Sequence, residues 1–594
     1  MRVPPKHTTA SLSAQFSNPI TSRTPHPISN SVILVLALTV SLMLFTAGCG
    51  GGGSSSSGGT SGSGGSSSSG SGGGTTTPDM GAIVNVNNSV YDSNQYQIKN
   101  AATDQSLGIS GQSQTAGTTV VQESTSDAPD EAWHFMQNVY ASDEVNIGNM
   151  LTHQVLGFST VAPVQGVPSS SALSSGAQAV QYSDTGTDDQ NWQLFQLSDG
   201  NYLIKNHYSG LYLQADGSGA SVVIDQGARA TTGTGCTCQE WTLTSTGTSP
   251  YPAPMAVKGT GIYVHDPYML QDANHVYWLY GTHQTLAYST DLSTFTYTTA
   301  STPYGACTAA QGTAWLTDDG HCPIIGPDFA SWSGLQTPPS DNNGQNTDVW
   351  APSLMYVNGI YYQYYAIPVE PDMPGGEAII GLATSPSPSG PWTDKGWIIA
   401  SWSNTSTPIS GFGFNSGTTY NAIDPAPFVD AAGNWWLSFG SWFDGIHMLQ
   451  LDPSTGLRLA SNPTTYNIAY RYWGEEGSFI YYWNGYYYYF APINACCSPT
   501  SPYRIIYGRS ANPTGPYLDR GGVDLEHGGG TILLSAHGNI VGPGGQSVFT
   551  DTGADGTQSM PTLVYHYYDG SANGTPTLGI NQLAFTTDGW PYVK

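Results

Sequence analysis

The sequence predicts an all-β chain made of two repeat-built domains behind an export segment. Three observations carry this: the composition, a weak threefold repeat between residues 84 and 247, and a fivefold recurrence of aromatic hairpins between 250 and 594. The chain holds 37 Tyr, 16 Trp and 16 Phe, with 73 Gly and 39 Pro, and no long helical periodicity. Aromatic strands broken by turn residues are the composition of β-sheet proteins. At 594 residues the chain exceeds one compact domain, since domains run to roughly 100–200 residues each. Fourteen basic against 41 acidic residues leave a formal charge of −27. That balance excludes binding nucleic-acid phosphates or anionic membrane surfaces by charge, and suits a neutral, hydroxyl-rich partner.

In chain order, the first element is residues 1–49. Arg2, Lys6 and Arg23 stand without an acid before the apolar run "VILVLALTVSLMLF" (32–45) and "TAGC". The apolar core is short and small residues precede the cysteine, which is the form of an export signal rather than a spanning helix. "TAGC" resembles a bacterial lipobox, which implies that Cys49 is the lipidated first residue of the mature protein. Residues 50–83 are mostly Gly, Ser and Thr up to position 77; the Gly/Ser run is a flexible coil spanning roughly 30 Å. A cell-surface or outer-membrane lipoprotein of a bacterium is expected, touching the membrane only through lipid at Cys49, and monomeric. Export permits disulfides among Cys236, Cys238, Cys307, Cys322, Cys496 and Cys497, and Cys307 with Cys322 could close a loop. No spacing reads as a zinc site, so the cysteines are taken as structural.

Residues 84–247 repeat a strand, a polar turn and a second strand in "YQIKNAATDQSLGIS", "VNIGNMLTHQVLGFS" and "YLIKNHYSGLYLQAD". Each is followed by a tryptophan in a polar-flanked strand: Trp133, Trp192 and Trp241. Such units cannot bury an apolar face alone, so they pack around a shared threefold core. The pattern resembles the ricin B-type β-trefoil lectin domain, whose repeats end in Gln-x-Trp, matched at Gln190/Trp192 and Gln239/Trp241; the first repeat has Glu131 instead. The tryptophans read as core rather than as sugar platforms.

From 250 to 594 the hairpins "DANHVYWLYG", "YVNGIYYQYYA", "DAAGNWWLSFG", "YWNGYYYYFA" and "TLVYHYYDG" recur, two of them around Asn-Gly turns at 358–359 and 484–485. Each follows a shorter strand that starts polar: "VHDPYML", "DVWAPSLM", "NAIDPAPFV", "EEGSFIY" and "GPGGQSVFT". Five units of roughly 70 residues suit four-stranded blades, so a five-bladed β-propeller is predicted. In a propeller the first strands line the central channel, and their starts converge on one funnel. Asp266, Asp424 and a glutamate of "EEGSFI" would meet there. One Asp-Pro merely begins a strand; two in register with a third acid point to chemistry. Two carboxyl groups across a glycosidic bond suffice for hydrolysis, and a third raises the pKa of the proton donor.

The order of "VHDP", "DVWAP", "NAIDP", "LSFGSW", "CC", "GRS", "GGGT", "LVYHYYDG" and "DGWPYV" resembles glycoside hydrolase family 43, and within it the endo-1,5-α-L-arabinanases. The resemblance implies Asp266 as general base, Asp424 as pKa modulator and Glu476 as general acid of an inverting reaction on arabinan, with base and acid about 6.5–9.5 Å apart. Strand alternation allows only one of Glu475 and Glu476 to face the channel, and matching "EGSFI" to the family's "EAPFI" selects Glu476. His265, Trp350, Asn421 and Trp442 are placed to contact furanose rings. His566 matches a histidine standing near an axial ion, expected to be calcium held largely through water. An exo-acting arabinofuranosidase or β-xylosidase of the same family is the nearest alternative, with residues 302–345 the place for such a difference. A non-catalytic glycan-binding lipoprotein is the alternative from another class.

Overall fold

Each tryptophan of the threefold repeat ends up at zero exposure, with its indole N–H donating to the carbonyl of a leucine in its own repeat. Trp133 donates to Leu107 at 2.9 Å, Trp192 to Leu156 at 3.0 Å and Trp241 to Leu213 at 3.0 Å. A buried indole needs such an acceptor, and the same carbonyl meets it three times. In this computed structural model the described residues are 79–85, 93–138, 143–158, 166–216, 222–225, 237–298, 349–368, 378–401, 419–553 and 555–594. They belong to one compact unit, 74–594. Cys49, the signal and most of the linker, Cys236, Cys307, Cys322 and the 302–345 stretch lie outside them.

The repeats close on one another. Ala132–Gln137 pairs with Val145–Asn149, Trp192–Gln196 with Tyr202–Asn206, and Glu240–Ser245 returns to Tyr96–Asn100, all antiparallel. This is the β-trefoil. Glu131, the departure from Gln-x-Trp, accepts from the Ser126 amide at 2.9 Å and from Gln97 Nε2 at 2.9 Å. Its partners here only donate, so a carboxylate serves where Gln190 must also donate, to the Ser183 carbonyl.

The second region forms five sheets with inner strands Tyr268–Gln271, Trp350–Val357, Ala426–Val429, Phe479–Trp483 and Ile540–Asp551, each the edge of a four-stranded antiparallel blade. Both Asn-Gly turns have positive φ at the two positions, 52° and 84° at 358–359 and 53° and 90° at 484–485, the twist that suits a two-residue hairpin. Inner strands touch their neighbours around the ring and the fifth touches the first. All strands of the last blade come from the C-terminal segment, so side chains and a strap close the ring rather than a shared sheet. Tyr277 OH donates to Asp551 at 2.8 Å, the Met255 amide to the Ile580 carbonyl at 2.8 Å, and Lys258–Gly259 adds a parallel edge to Thr294–Tyr297. Among the described residues no helix is long and apolar enough to cross a membrane.

Candidate active site

Every blade brings one left-handed residue to the channel mouth, just before the inner strand in three blades and at a register shift within it in the second and fifth. These are Asp266, Ala351, Asp424, Gly477 and Gly545, with φ of 48°, 40°, 54°, 53° and 54°. Each is followed by Pro, Ser or Gln, and the five resulting triplets line one small axial cavity. Asp266 and Asp424 therefore hold equivalent places. Glu476 does not: its blade offers Gly477 at that place, and the glutamate sits one residue earlier, level with His265. A left-handed backbone is strained for residues other than Gly, and here it aims two carboxylates at the funnel.

Above that ring opens a cleft of about 690 Å³ whose walls include Asp266, Asp424, Glu476, His265 and Trp350. Asp266 Oδ2 lies 2.8 Å from His265 Nδ1 and accepts from Thr282 Oγ1 at 2.7 Å. Burial alone would raise its pKa, but the charge and hydrogen bond of His265, with the Thr282 hydroxyl, hold it well below the usual carboxylate range. Burial likewise works against a charged His265, and the Asp266 carboxylate outweighs it and raises that imidazole. His265 stacks on His566 with ring centres 3.9 Å apart. Desolvation and the charge of His265 keep His566 neutral.

The other two acids move the opposite way. Glu476 is pushed up to about 7, mainly by burial and then by Asp266, against a lowering hydrogen bond from Ser441. Asp424 is raised by burial, by Glu476 and by Asp266. Between them the pair retains a proton toward neutral pH. The Gly477 amide, which can only donate, reaches Asp424 Oδ2 at 2.9 Å and favours the ionised form there. Glu476 accepts from Ser441 Oγ at 2.7 Å and from Tyr503 OH. Two of the partners of Glu476 are hydroxyls, which can rotate to accept, so a proton is tolerated there, while the Trp442 indole, which can only donate, works against it. Glu475 points away: it is 2 % exposed, takes the Tyr489 hydroxyl and is raised to about 7, chiefly by burial.

Two of the residues expected to contact sugar do not line the described cleft. Asn421 is buried, with its Oδ1 lacking a partner among the described residues. The Trp442 ring covers Gly474, where an added Cβ would come within 2.4 Å of it, and it reaches Glu476 by a side-chain hydrogen bond. Conversely Thr282, Ser441, Tyr503 and Tyr568 join the site without a signal of their own beyond lying beside its motifs. Cys496 and Cys497, read as structural, form a disulfide between neighbours that is itself part of the cleft wall. The Cys497 amide donates to Tyr568 OH at 2.7 Å, and that oxygen lies 2.9 Å from His265 Nε2.

For an ion, the relevant cluster is His265, Asp266 and His566. It offers one carboxylate, whereas calcium takes six to eight oxygens. The Asp266 amide donates to His566 Nδ1 at 3.0 Å, so the proton of the neutral ring sits on Nε2, which is buried without a partner among the described residues. A protonated nitrogen donates to water and does not ligate a cation. The set fits calcium only as an ion held through water.

A β-propeller whose funnel gathers three carboxyl groups, one pushed down and two raised, has the form of a glycoside hydrolase site. A family model for glycosyl hydrolases family 43 matches residues 326–591, and one for ricin-type β-trefoil lectin-like domains matches 85–168, 142–223 and 189–264. The extracellular endo-α-(1→5)-L-arabinanase 1 of Bacillus subtilis is 39% identical over 266 residues, 44% of this chain and 72% of that protein. The probable arabinan endo-1,5-α-L-arabinosidase A of Emericella nidulans is 37% identical over 285 residues, 46% of this chain and 81% of that one. Among solved structures, the family 43 endo-arabinanase from Bacillus licheniformis is 31% identical, covering 57% of this chain and 99% of its own, with a TM-score of 0.42. The chain belongs to glycosyl hydrolase family 43.

Proposed function

We propose that this enzyme cleaves internal α-1,5-L-arabinofuranosidic bonds of arabinan with inversion, from an exported chain tethered by lipid at Cys49. The observation that supports the chemistry is that Asp266 and Glu476 line one cleft in surroundings that push their pKa values in opposite directions. Residues whose environments push their pKa values apart are the acid and base of such a site. Asp266, kept ionised by His265 and Thr282, takes a proton from water as its oxygen attacks the anomeric carbon. The bond to the leaving sugar breaks, and Glu476 delivers its proton to the departing oxygen. Asp424 supplies the like charge that keeps that proton on Glu476. Calcium held through water near His566 would add a fixed positive charge at the axis. The names of the Bacillus and Emericella relatives agree with arabinan as substrate, and the Bacillus name agrees with export.

The test is hydrolysis of linear debranched 1,5-arabinan with products sized by chromatography. A ladder of oligomers is expected, and Glu476→Gln should lose about 10²–10⁴ in kcat while Glu475→Gln retains most activity. Monomer as the only product would establish the exo reading. Full activity in Glu476→Gln would overturn the assignment of the acid.

A further inference from the structure

The trefoil presses one carboxylate between two arginines of the propeller. Asp184 is 2 % exposed. Its Oδ1 meets Arg471 Nη2 at 2.7 Å and its Oδ2 meets Arg504 Nη1 at 2.9 Å, while its carbonyl also accepts from Arg471 Nη1. Both arginines are almost fully buried and both lead to Glu476. Arg471 opens the loop "RYWGEE" that ends in the acid. Arg504 follows Tyr503, whose hydroxyl is on Glu476 Oε1; neighbours on an extended chain point to opposite sides, one here to the cleft and one to the trefoil. The loop itself lies against trefoil glycines: Cβ atoms added at Gly166 and Gly186 would come within 2.4 Å of Tyr472 and 2.9 Å of Trp473. Arg504 is held further by the Gln137 carbonyl at 2.8 Å and Asn146 Oδ1 at 3.2 Å.

We propose that the trefoil is a structural part of the hydrolytic centre, with Asp184 a positioning residue that sets Glu476 through Arg471 and Arg504. The trefoil thus does more than any glycan binding of its own would require. The inference rests on Glu476 being the acid. Acids of this kind act within a narrow geometry, and small displacements of a reacting group are costly.

The experiment uses the full chain and a short linear α-1,5-arabino-oligosaccharide, so that any glycan binding by the trefoil stays out of KM. Asp184→Asn should lower kcat about tenfold to a hundredfold with KM changed by less than about twofold. The alkaline limb of its pH profile should move down, because a loosened loop admits water and relaxes the raised pKa of Glu476. Arg471→Lys keeps the charge but loses the fork that grips Asp184 at Oδ1 and at its backbone carbonyl; a smaller loss in the same direction is expected. Ser183→Ala removes a 2.5 Å contact to Asp519 elsewhere in the same interface and should leave kcat unchanged. The proposal fails if folded Asp184→Asn keeps the wild-type kcat and limb, or if Ser183→Ala loses as much. Should Asp184→Asn not fold, an unchanged kcat in Arg471→Lys overturns it. Wild type inactive on this substrate, or Glu476→Gln fully active, would instead refute the underlying assignment.

Discussion

Ser441→Ala should move the alkaline limb of activity upward. Ser441 is 3 % exposed and its hydroxyl donates to Glu476 Oε2 at 2.7 Å. Such a bond stabilises the ionised form and opposes the burial that lifts Glu476 to about 7. A buried hydrogen bond to a charged group is worth about 1.5–3 kcal/mol. At about 1.4 kcal/mol per pKa unit, the lower figure, apt for a carboxyl that borders the cleft, predicts a rise of about one unit. Removing a donor destabilises the carboxylate, so the proton is kept to higher pH and the limb shifts up. The assay is release of reducing ends from arabinan across the pH range, since kcat/KM reports the free enzyme's acid and base. On the acid side, where Glu476 is protonated in both proteins, the rates should differ little. A limb that stays put or moves down would mean that Glu476 does not govern it, and the assignment of the acid would fall.

Gly545→Ala should reduce kcat by about a hundredfold or more, because its Cβ would come within 2.4 Å of Asp266 Oδ1 and 2.7 Å of His566 Nδ1 at a φ of 54°; kinetics on arabinan beside an unchanged circular dichroism spectrum checks it. Glu475 is raised from 4.5 to about 7 by burial, so its contribution to stability is full below pH 4.5 and is lost as pH rises through 7. Glu475→Gln should therefore flatten the fall in thermal stability over that window, and an unchanged slope would contradict it. Trp192→Ala removes a fully buried indole and its bond to Leu156, at a cost of about 3–5 kcal/mol measurable by denaturant unfolding; a loss below about 1 kcal/mol would show that the trefoil core does not depend on it.

Much of this architecture could be read along the chain because it is local and repeated. The Asn-Gly turns, the aromatic hairpins and the three tryptophans each announce a unit, and counting units yields the blades and the trefoil. Asp266 and Asp424 were legible for the same reason, as they recur before prolines at the same place in their blades. Glu476 was harder. Its blade has Gly477 where the first and third have Asp, and only strand alternation and motif matching separated it from Glu475, which the fold buries against Tyr489.

The supporting residues come from chain distances that no local pattern encodes. Tyr503 reaches Glu476 from the next strand pair, Thr282 reaches Asp266 from the far end of the hairpin that Asp266 begins, and Tyr568 ties the Cys497 amide to His265 across the funnel. Trp442 shows the converse, since a motif tryptophan turned onto Gly474 instead of the cleft. The sequence by itself determined the all-β class, the two repeats, the family and the three acids, because period and motif are carried by neighbours in the chain. Only the tertiary structure shows which carboxyl groups are desolvated together and which segments pack against them. Desolvation, like charge and the grip of Asp184 on Arg471 and Arg504 exist only once distant segments are packed together.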